Sequence, residues 1–191
     1  MNAADEKRLQ RRVQGYHDLR MDGMLDLVIR ARGASVMDIG CNRGLVAFEM
    51  ANNGARLVHG CDNYAEGIDV ARHLFCDLRN VESRFECVDL TEGPAAFRPF
   101  GHVQYDIVIC LAVLHKLRRI MPQAAFDELV RYLGRRTGQF FGWRATSDKP
   151  HQNDEEMHII DRDLAQEGMK RIHTSRISLN LGVAAIWARG Y

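Results

Sequence analysis

Short apolar runs that close on an acid alternate along this chain with stretches whose apolar residues fall three and four apart. The clearest case is Val36-Met37-Asp38-Ile39-Gly40-Cys41-Asn42-Arg43-Gly44, continued by residues 45–51 at helical spacing until Asn52-Asn53-Gly54 ends them. The pattern predicts a buried strand, a tight turn and a helix, the first βα unit of a doubly wound sheet. Gly40 and Gly44 would let the backbone turn sharply and let a ligand approach it with no Cβ in the way. The helix starting here should aim unpaired N–H groups into the crevice beyond the strand.

The unit recurs. Residues 56–62 read as a second strand ending in Asp62, and residues 65–78 as a helix striped by Ile68, Ala71, Leu74, Phe75 and Leu78. Residues 84–90 form a third strand that carries Asp89 at its end. Gly93-Pro94, Arg98-Pro99 and Gly101-His102 mark residues 93–104 as loop. Residues 105–111 are a fourth strand, apolar after its opening acid. Met121-Pro122 opens a helix with Phe126, Leu129, Val130 and Leu133 inside and Gly134 as its C′ glycine. A fifth strand (139–143), a loop (146–153), a helix (154–167) and two strands (170–178 and 183–189) follow. The short connection 179–182 suits an antiparallel final pair. The fold class is α/β, and residues 1–191 are expected to form a single domain. An N-terminal helical segment (1–34), broken near Gly15 or Gly23, precedes a core of residues 35–191.

Composition narrows the function classes. A chain of 191 residues, 46% hydrophobic and 27% charged, suits one globular domain and not a disordered segment. A formal net charge of +1 supplies no strong field toward nucleic acid or anionic lipid. No apolar run approaches a membrane span, and the charged start lacks the apolar segment of a signal peptide, so no membrane association and a cytoplasmic location are expected. The five cysteines show no C-x-x-C spacing and read as small buried thiols of a reducing compartment. Zinc-ligand, Walker-loop and G-x-S-x-G motifs are absent, and no metal is expected.

The stretch from Asp38 through Gly40 and Asn42 to Gly44 resembles the first motif of class I S-adenosylmethionine-dependent methyltransferases, acid-x-Gly-x-Gly-x-Gly, with Asn42 where the middle glycine usually stands. The likeness extends over residues 36–145 through the acids at successive strand ends. It implies a mostly parallel seven-stranded sheet with the last strand antiparallel, helices on both faces, and S-adenosylmethionine as cofactor. Asp38, Gly40, Cys41, Asn42 and Gly44 would frame the cofactor turn. Asp62 lies about twenty residues beyond the glycines, where such sheets place the carboxylate that grips a ribose, and Asn63 would border the adenosine. Asp89 would receive the adenine amino group and Leu90 a ring nitrogen, unless Asp89 is the N-cap of a short following helix. Cys110 and Leu111 would offer backbone carbonyls near the methionine portion. Tyr16, His17 and Arg20 are candidate lid residues. His115 is the candidate general base, an imidazole titrating near neutrality, or else a packed histidine beside the strand end.

Two other readings compete. A nicotinamide fingerprint starting at Gly40 needs glycines where Asn42 and Leu45 stand. A cofactor-binding module without turnover, serving a partner protein, shares every cofactor motif. Cys110-Leu111-Ala112-Val113 replaces the Asn-Pro-Pro-Tyr tetrad of amino-group methyltransferases acting on bases or glutamine. Arg118, Arg119, Arg131, Arg135 and Arg136 are either solvated surface or a site for a polyanion such as RNA. The expected acceptor is a small molecule, with RNA the alternative.

Overall fold

The computed structural model describes residues 23–145, 150–176 and 182–191. In chain order the elements are α1 (Leu25–Arg30), β1 (Ser35–Ile39), α2 (Leu45–Asn52), β2 (Leu57–Asp62), α3 (Ala65–Phe75), β3 (Glu82–Cys87), a 3-10 segment (Leu90–Phe100), β4 (Tyr105–Leu111), α4 (Leu114–Ile120), α5 (Gln123–Arg136), β5 (Thr137–Arg144), α6 (Pro150–Gln166), β6 (Met169–Arg176) and β7 (Val183–Arg189). The seven strands form one sheet in the order β3-β2-β1-β4-β5-β7-β6. Strand β7 runs antiparallel to both neighbours, and the other pairings are parallel. The expected doubly wound α/β sheet, with its last strand antiparallel, is therefore present. The strand order reverses between β1 and β4, and the crevice at such a switch point opens at the carboxyl ends of the strands.

Strand alternation sorts the core into two layers, one on each face of the sheet. Met37, Ile39, Val108 and Cys110 join Phe126, Leu129, Trp143 and Trp187 in one layer. Val36, Ile107 and Ile109 join Met24, Leu27, Ile68 and Phe75 in the other. Helix α1 lies on β5 at Gly142, where an added Cβ would come within 2.5 Å of Leu27 Cδ1.

Several boundaries differ from the sequence expectation. Strand β3 ends at Cys87, so Asp89 lies beyond it. The stretch with three loop signals is helical: Pro94 and Pro99 sit in 3-10 turns that hinge at Gly93 (φ 62°), and Ala96, Phe97 and Phe100 are buried. Burial of those three side chains outweighs the turn chemistry. Helix α3 stops at Phe75, short of residue 78. Helix α5 runs past Gly134 to Arg136. Gly134 is a contact residue instead of a cap, since a Cβ there would come within 3.0 Å of Leu164 on α6. Helix α6 begins at Pro150 instead of residue 154. Cys41, Cys61 and Cys110 are buried as expected, whereas Cys76 and Cys87 are exposed. Residues 177–181, within the β6–β7 connection, and Tyr16, His17 and Arg20 lie outside the described residues. No described helix is long and apolar enough to cross a membrane.

One carboxylate ties three strands at the edge opposite the crevice. Asp106 Oδ2 accepts the Ser35 N–H and hydroxyl, both at 2.8 Å, and Oδ1 accepts the Gln139 amide at 3.0 Å. Burial alone would raise its pKa, but the Ser35 and Gln139 bonds and the Arg56 charge outweigh that and hold it below the ordinary 3.8. A depressed folded-state pKa contributes stability above the unfolded value that is lost as pH falls through the folded one. Asp106→Ala should lower the unfolding free energy at pH 7 by about 1–3 kcal/mol. In urea melts, its deficit against the wild type should shrink as pH falls below the unfolded carboxylate pKa, and a pH-independent gap would refute the tie.

Candidate active site

The turn after β1 places three left-handed residues within five positions: Gly40 (φ 72°), Asn42 (φ 52°) and Gly44 (φ 73°). Asparagine tolerates this region better than other residues with a Cβ, which is why Asn42 can stand in for a glycine. The turn is fastened to the end of β2. Gly40 and Cys41 donate their N–H groups to the Cys61 carbonyl at 2.8 and 3.0 Å. Asp62 Oδ2 accepts the Asn42 N–H at 2.8 Å, and Oδ1 accepts the Tyr64 N–H at 3.0 Å.

Asp38 sits beneath this turn, 3% exposed. Burial pushes its pKa up to about 7, the Ala47 N–H of α2 opposes the rise, and the Asp62 charge adds to it. Its Oδ2 has no hydrogen-bond partner among the described residues. The Ala47 N–H in the first turn of α2 therefore meets Asp38, which supports the turn from behind.

The crevice itself is a cleft of about 130 Å³, and five predicted site residues line it: Gly40, Asp62, Asn63, Asp89 and Leu90. Among the other predicted cofactor residues, Cys41, Gly44 and Cys110 are buried behind the wall, Asn42 is exposed on the turn, and Leu111 is half-buried at the end of β4. Asp89 caps the 3-10 segment, its Oδ1 accepting the Thr91 N–H at 2.9 Å and the Thr91 hydroxyl at 2.7 Å. Those two bonds, the hydroxyl first, hold its pKa below the usual carboxylate range. Sequence reasoning missed the opposite wall, which Val113, Lys116, Leu117 and Ile120 supply. Val113, Leu117 and Ile120 fall at i, i+4 and i+7, a helical stripe that was there to be read. Val113 lies directly on Gly40, where an added Cβ would meet its Cγ2 at 2.0 Å.

His115 does not line the crevice. It faces a second cavity, of about 210 Å³, together with Arg118, Arg119, Gln152, Glu155 and Glu156. Cys110 pairs in register with Ile39 on one side and Trp143 on the other. Trp143 Nε1 donates to Glu156 Oε1 at 2.8 Å. The second cavity thus shares helix α4 with the crevice. Burial lowers the His115 pKa, with help from Lys116 and Arg119, so the imidazole is neutral at pH 7. Glu156, 3% exposed, is pushed up to about 7 by burial against the opposing pull of Trp143, Arg118 and Arg119. Nothing in the local sequence marks Glu156.

The five arginines divide between two helices and mostly meet acids. Arg118 pairs with Glu155 at 3.2 Å, Arg131 with Glu128 at 3.2 Å and Asp163 at 3.5 Å, and Arg135 with Glu128 at 2.6 Å and Glu167 at 3.0 Å. Arg136 donates to the Gly101 carbonyl at 2.6 Å and lies over the Tyr105 and Tyr132 rings. Among the described residues only Arg119 of the five lacks such a partner. This is not a strip of open charge that a polyanion would need.

A model of a methyltransferase domain family matches residues 36–136, more than half of the 191. The ubiquinone biosynthesis O-methyltransferase of Neisseria meningitidis serogroup C is 35% identical over 95 residues, 49% of this chain and 36% of that protein. The Escherichia coli O-antigen chain terminator bifunctional methyltransferase/kinase WbdD is 31% identical over 104 residues, 54% of this chain and 14% of that one. The chain spans about a third or less of the length of these curated relatives. Among solved structures, magnesium protoporphyrin IX methyltransferase (ChlM) from Synechocystis PCC 6803, with bound SAM, matches with a TM-score of 0.67 at 22% identity, covering 91% of this chain and 80% of that one. That likeness is one of fold. The family match over more than half of its length makes this chain a member of the methyltransferase domain family, whose cofactor is S-adenosylmethionine.

Proposed function

We propose that this chain binds S-adenosylmethionine in the crevice beside Gly40 and transfers its methyl group to a small-molecule acceptor in the adjoining cavity. The observation that carries this reading is the Asp62 carboxylate, fixed by two backbone N–H groups on the crevice wall beside the bare Gly40. An ionised carboxylate has about four lone-pair sites, so it can hold the turn and still accept the 2′ and 3′ ribose hydroxyls. The remaining donor set also fits an adenosyl group, with Asp89 to accept the adenine amino group and the Leu90 backbone beside it. Asn63 borders the adenosine, and the ends of β1 and β4, with Asp38 behind, support the methionine portion.

Space is the mismatch. The cleft of about 130 Å³ is below the roughly 300 Å³ at which pockets for ligands of this size begin. Val113, seated on Gly40, narrows the cleft. Ala112 beside it has φ 62°, a left-handed conformation that strains any residue with a Cβ. Cofactor entry therefore requires Val113 to lift, and strained Ala112 is the joint at which it turns.

The bound cofactor supplies an electrophilic methyl group on a sulfonium. The chain's own task is then to align an acceptor and remove its proton. Neutral His115 would take the proton that the acceptor hydroxyl gives up as the methyl group passes from the sulfonium, whose carbon–sulfur electron pair stays with the departing S-adenosylhomocysteine. The small cavity and the paired arginines support a small molecule over RNA, and relatives named as O-methyltransferases support oxygen as the acceptor atom.

His115→Ala should reduce methyl transfer by about 10²–10⁴-fold, read as acceptor-dependent S-adenosylhomocysteine release, with cofactor affinity unchanged. A base must be deprotonated, so the wild-type rate should hold through neutrality and fall in acid below the ordinary histidine pKa. Equal loss of cofactor binding in the variant would make His115 structural. Val113→Ala should speed S-adenosylhomocysteine association in stopped-flow measurements, and an unchanged association rate would remove Val113 as the gate.

A further inference from the structure

The cavity beside α4 is lined, among the described residues, by polar side chains alone: His115, Arg118 and Arg119 from α4, and Gln152, Glu155 and Glu156 from α6. Such a wall suits a hydrophilic ligand. Its charges do not cancel. Arg118 is matched by Glu155 at 3.2 Å, while exposed Arg119 has no ion pair among the described residues. Glu156 is buried and bonded to the Trp143 indole at 2.8 Å, and burial favours its neutral acid form. The cavity therefore presents one surplus guanidinium beside a carboxylic acid that can donate its proton in a hydrogen bond. A guanidinium fork matches a carboxylate in bidentate fashion.

We propose that this cavity selects acceptors carrying a carboxylate, held by Arg119 beside Glu156, with the acceptor hydroxyl directed to His115. The inference rests on the methyl-transfer reading of the neighbouring crevice and adds the substrate class. The position agrees with that role. Cys110 of β4 separates Ile39, which leads into the glycine turn, from Trp143, which bonds Glu156. The cavity and the crevice share helix α4, so a ligand in one lies across that helix from a ligand in the other. A cavity of about 210 Å³ suits a compact acid.

Charge also gives the selection a pH dependence. Glu156 is faced by Arg118, Arg119 and His115 from α4, Glu155 from its own helix, Cys110 from β4 and Trp143 from β5. Glu156 ionises near pH 7 and would then repel a bound carboxylate. Any protonation of His115 in acid adds attraction. Both effects make anion affinity fall as pH rises.

The test is ligand-observed NMR titration of the whole chain, with S-adenosylhomocysteine present, using 4-hydroxybenzoate and lactate against their uncharged amides. At least one acid should bind about tenfold more tightly than its amide. Arg119→Gln should remove about that factor for the acid and leave the amide unchanged. Between pH 6 and 8 acid affinity should decline, and Glu156→Gln should flatten the decline. Amides binding as well as acids, failure of both acids to bind, or equal effects of Arg119→Gln on acid and amide would overturn the proposal. Binding of S-adenosylhomocysteine in the same samples separates the two layers. If it binds while the acids fail, the carboxylate inference falls alone, and if it does not bind, the crevice reading falls with it.

Discussion

The fastening of the glycine turn by Asp62 is the constraint on which the site depends. Three left-handed residues in five positions form a conformation the backbone would not keep unaided. The two Asp62 hydrogen bonds, to Asn42 and Tyr64, are charge-assisted, a class worth about 1.5–3 kcal/mol each. They lock the turn to the end of β2 and bring the bare face of Gly40 onto the crevice. The arrangement has an electrostatic consequence: burial behind the turn pushes the Asp38 pKa up to about 7, and the Asp62 charge adds a smaller push in the same direction. One carboxylate thus shapes the turn, aims itself at the crevice and biases the protonation of the acid beneath.

Helix α4 divides the crevice from the second cavity. Successive residues on a helix point about 100° apart, so neighbours in sequence serve different cavities. Val113, Lys116, Leu117 and Ile120 face the crevice, while His115, Arg118 and Arg119 face the second cavity. A movement that lifts Val113 from Gly40 must also shift His115 and the arginines. The crevice and the second cavity are therefore coupled through one short helix, with Ala112 at its root.

Much of this was legible because parallel strands announce themselves. The run of residues 105–111 and the acid-terminated runs around Asp38 and Asp62 are buried on both faces, so their apolar character survives in the sequence. Asp89 was legible as a site residue but not as lying past the strand, because β3 is an edge strand with four exposed positions and a weak pattern. Helix α4 went unread because its charged stretch Lys116 to Arg119 masked the stripe of Val113, Leu117 and Ile120. Helix-forming burial of Phe97 and Phe100 overrode the prolines and glycines around them. The arginines' partners were beyond reach, since Arg118 meets Glu155 37 residues away and Arg135 meets Glu167 32 residues away. Glu156 carries no motif, and its place opposite His115 comes from the packing of α6 against α5 and β6 and from its bond to the Trp143 indole of β5.

The central claim is that the crevice fastened by Asp62 recognises the adenosyl group of S-adenosylmethionine. Isothermal titration of the whole chain with S-adenosylhomocysteine and, separately, with a nicotinamide dinucleotide tests it most directly, in the wild type and in Asp62→Ala. The account predicts that S-adenosylhomocysteine binds, that the dinucleotide binds far more weakly, and that the variant loses about ten- to hundred-fold in affinity while its circular dichroism stays that of the folded chain. Equal or tighter binding of the dinucleotide, or an unchanged affinity in a folded Asp62→Ala variant, would contradict it.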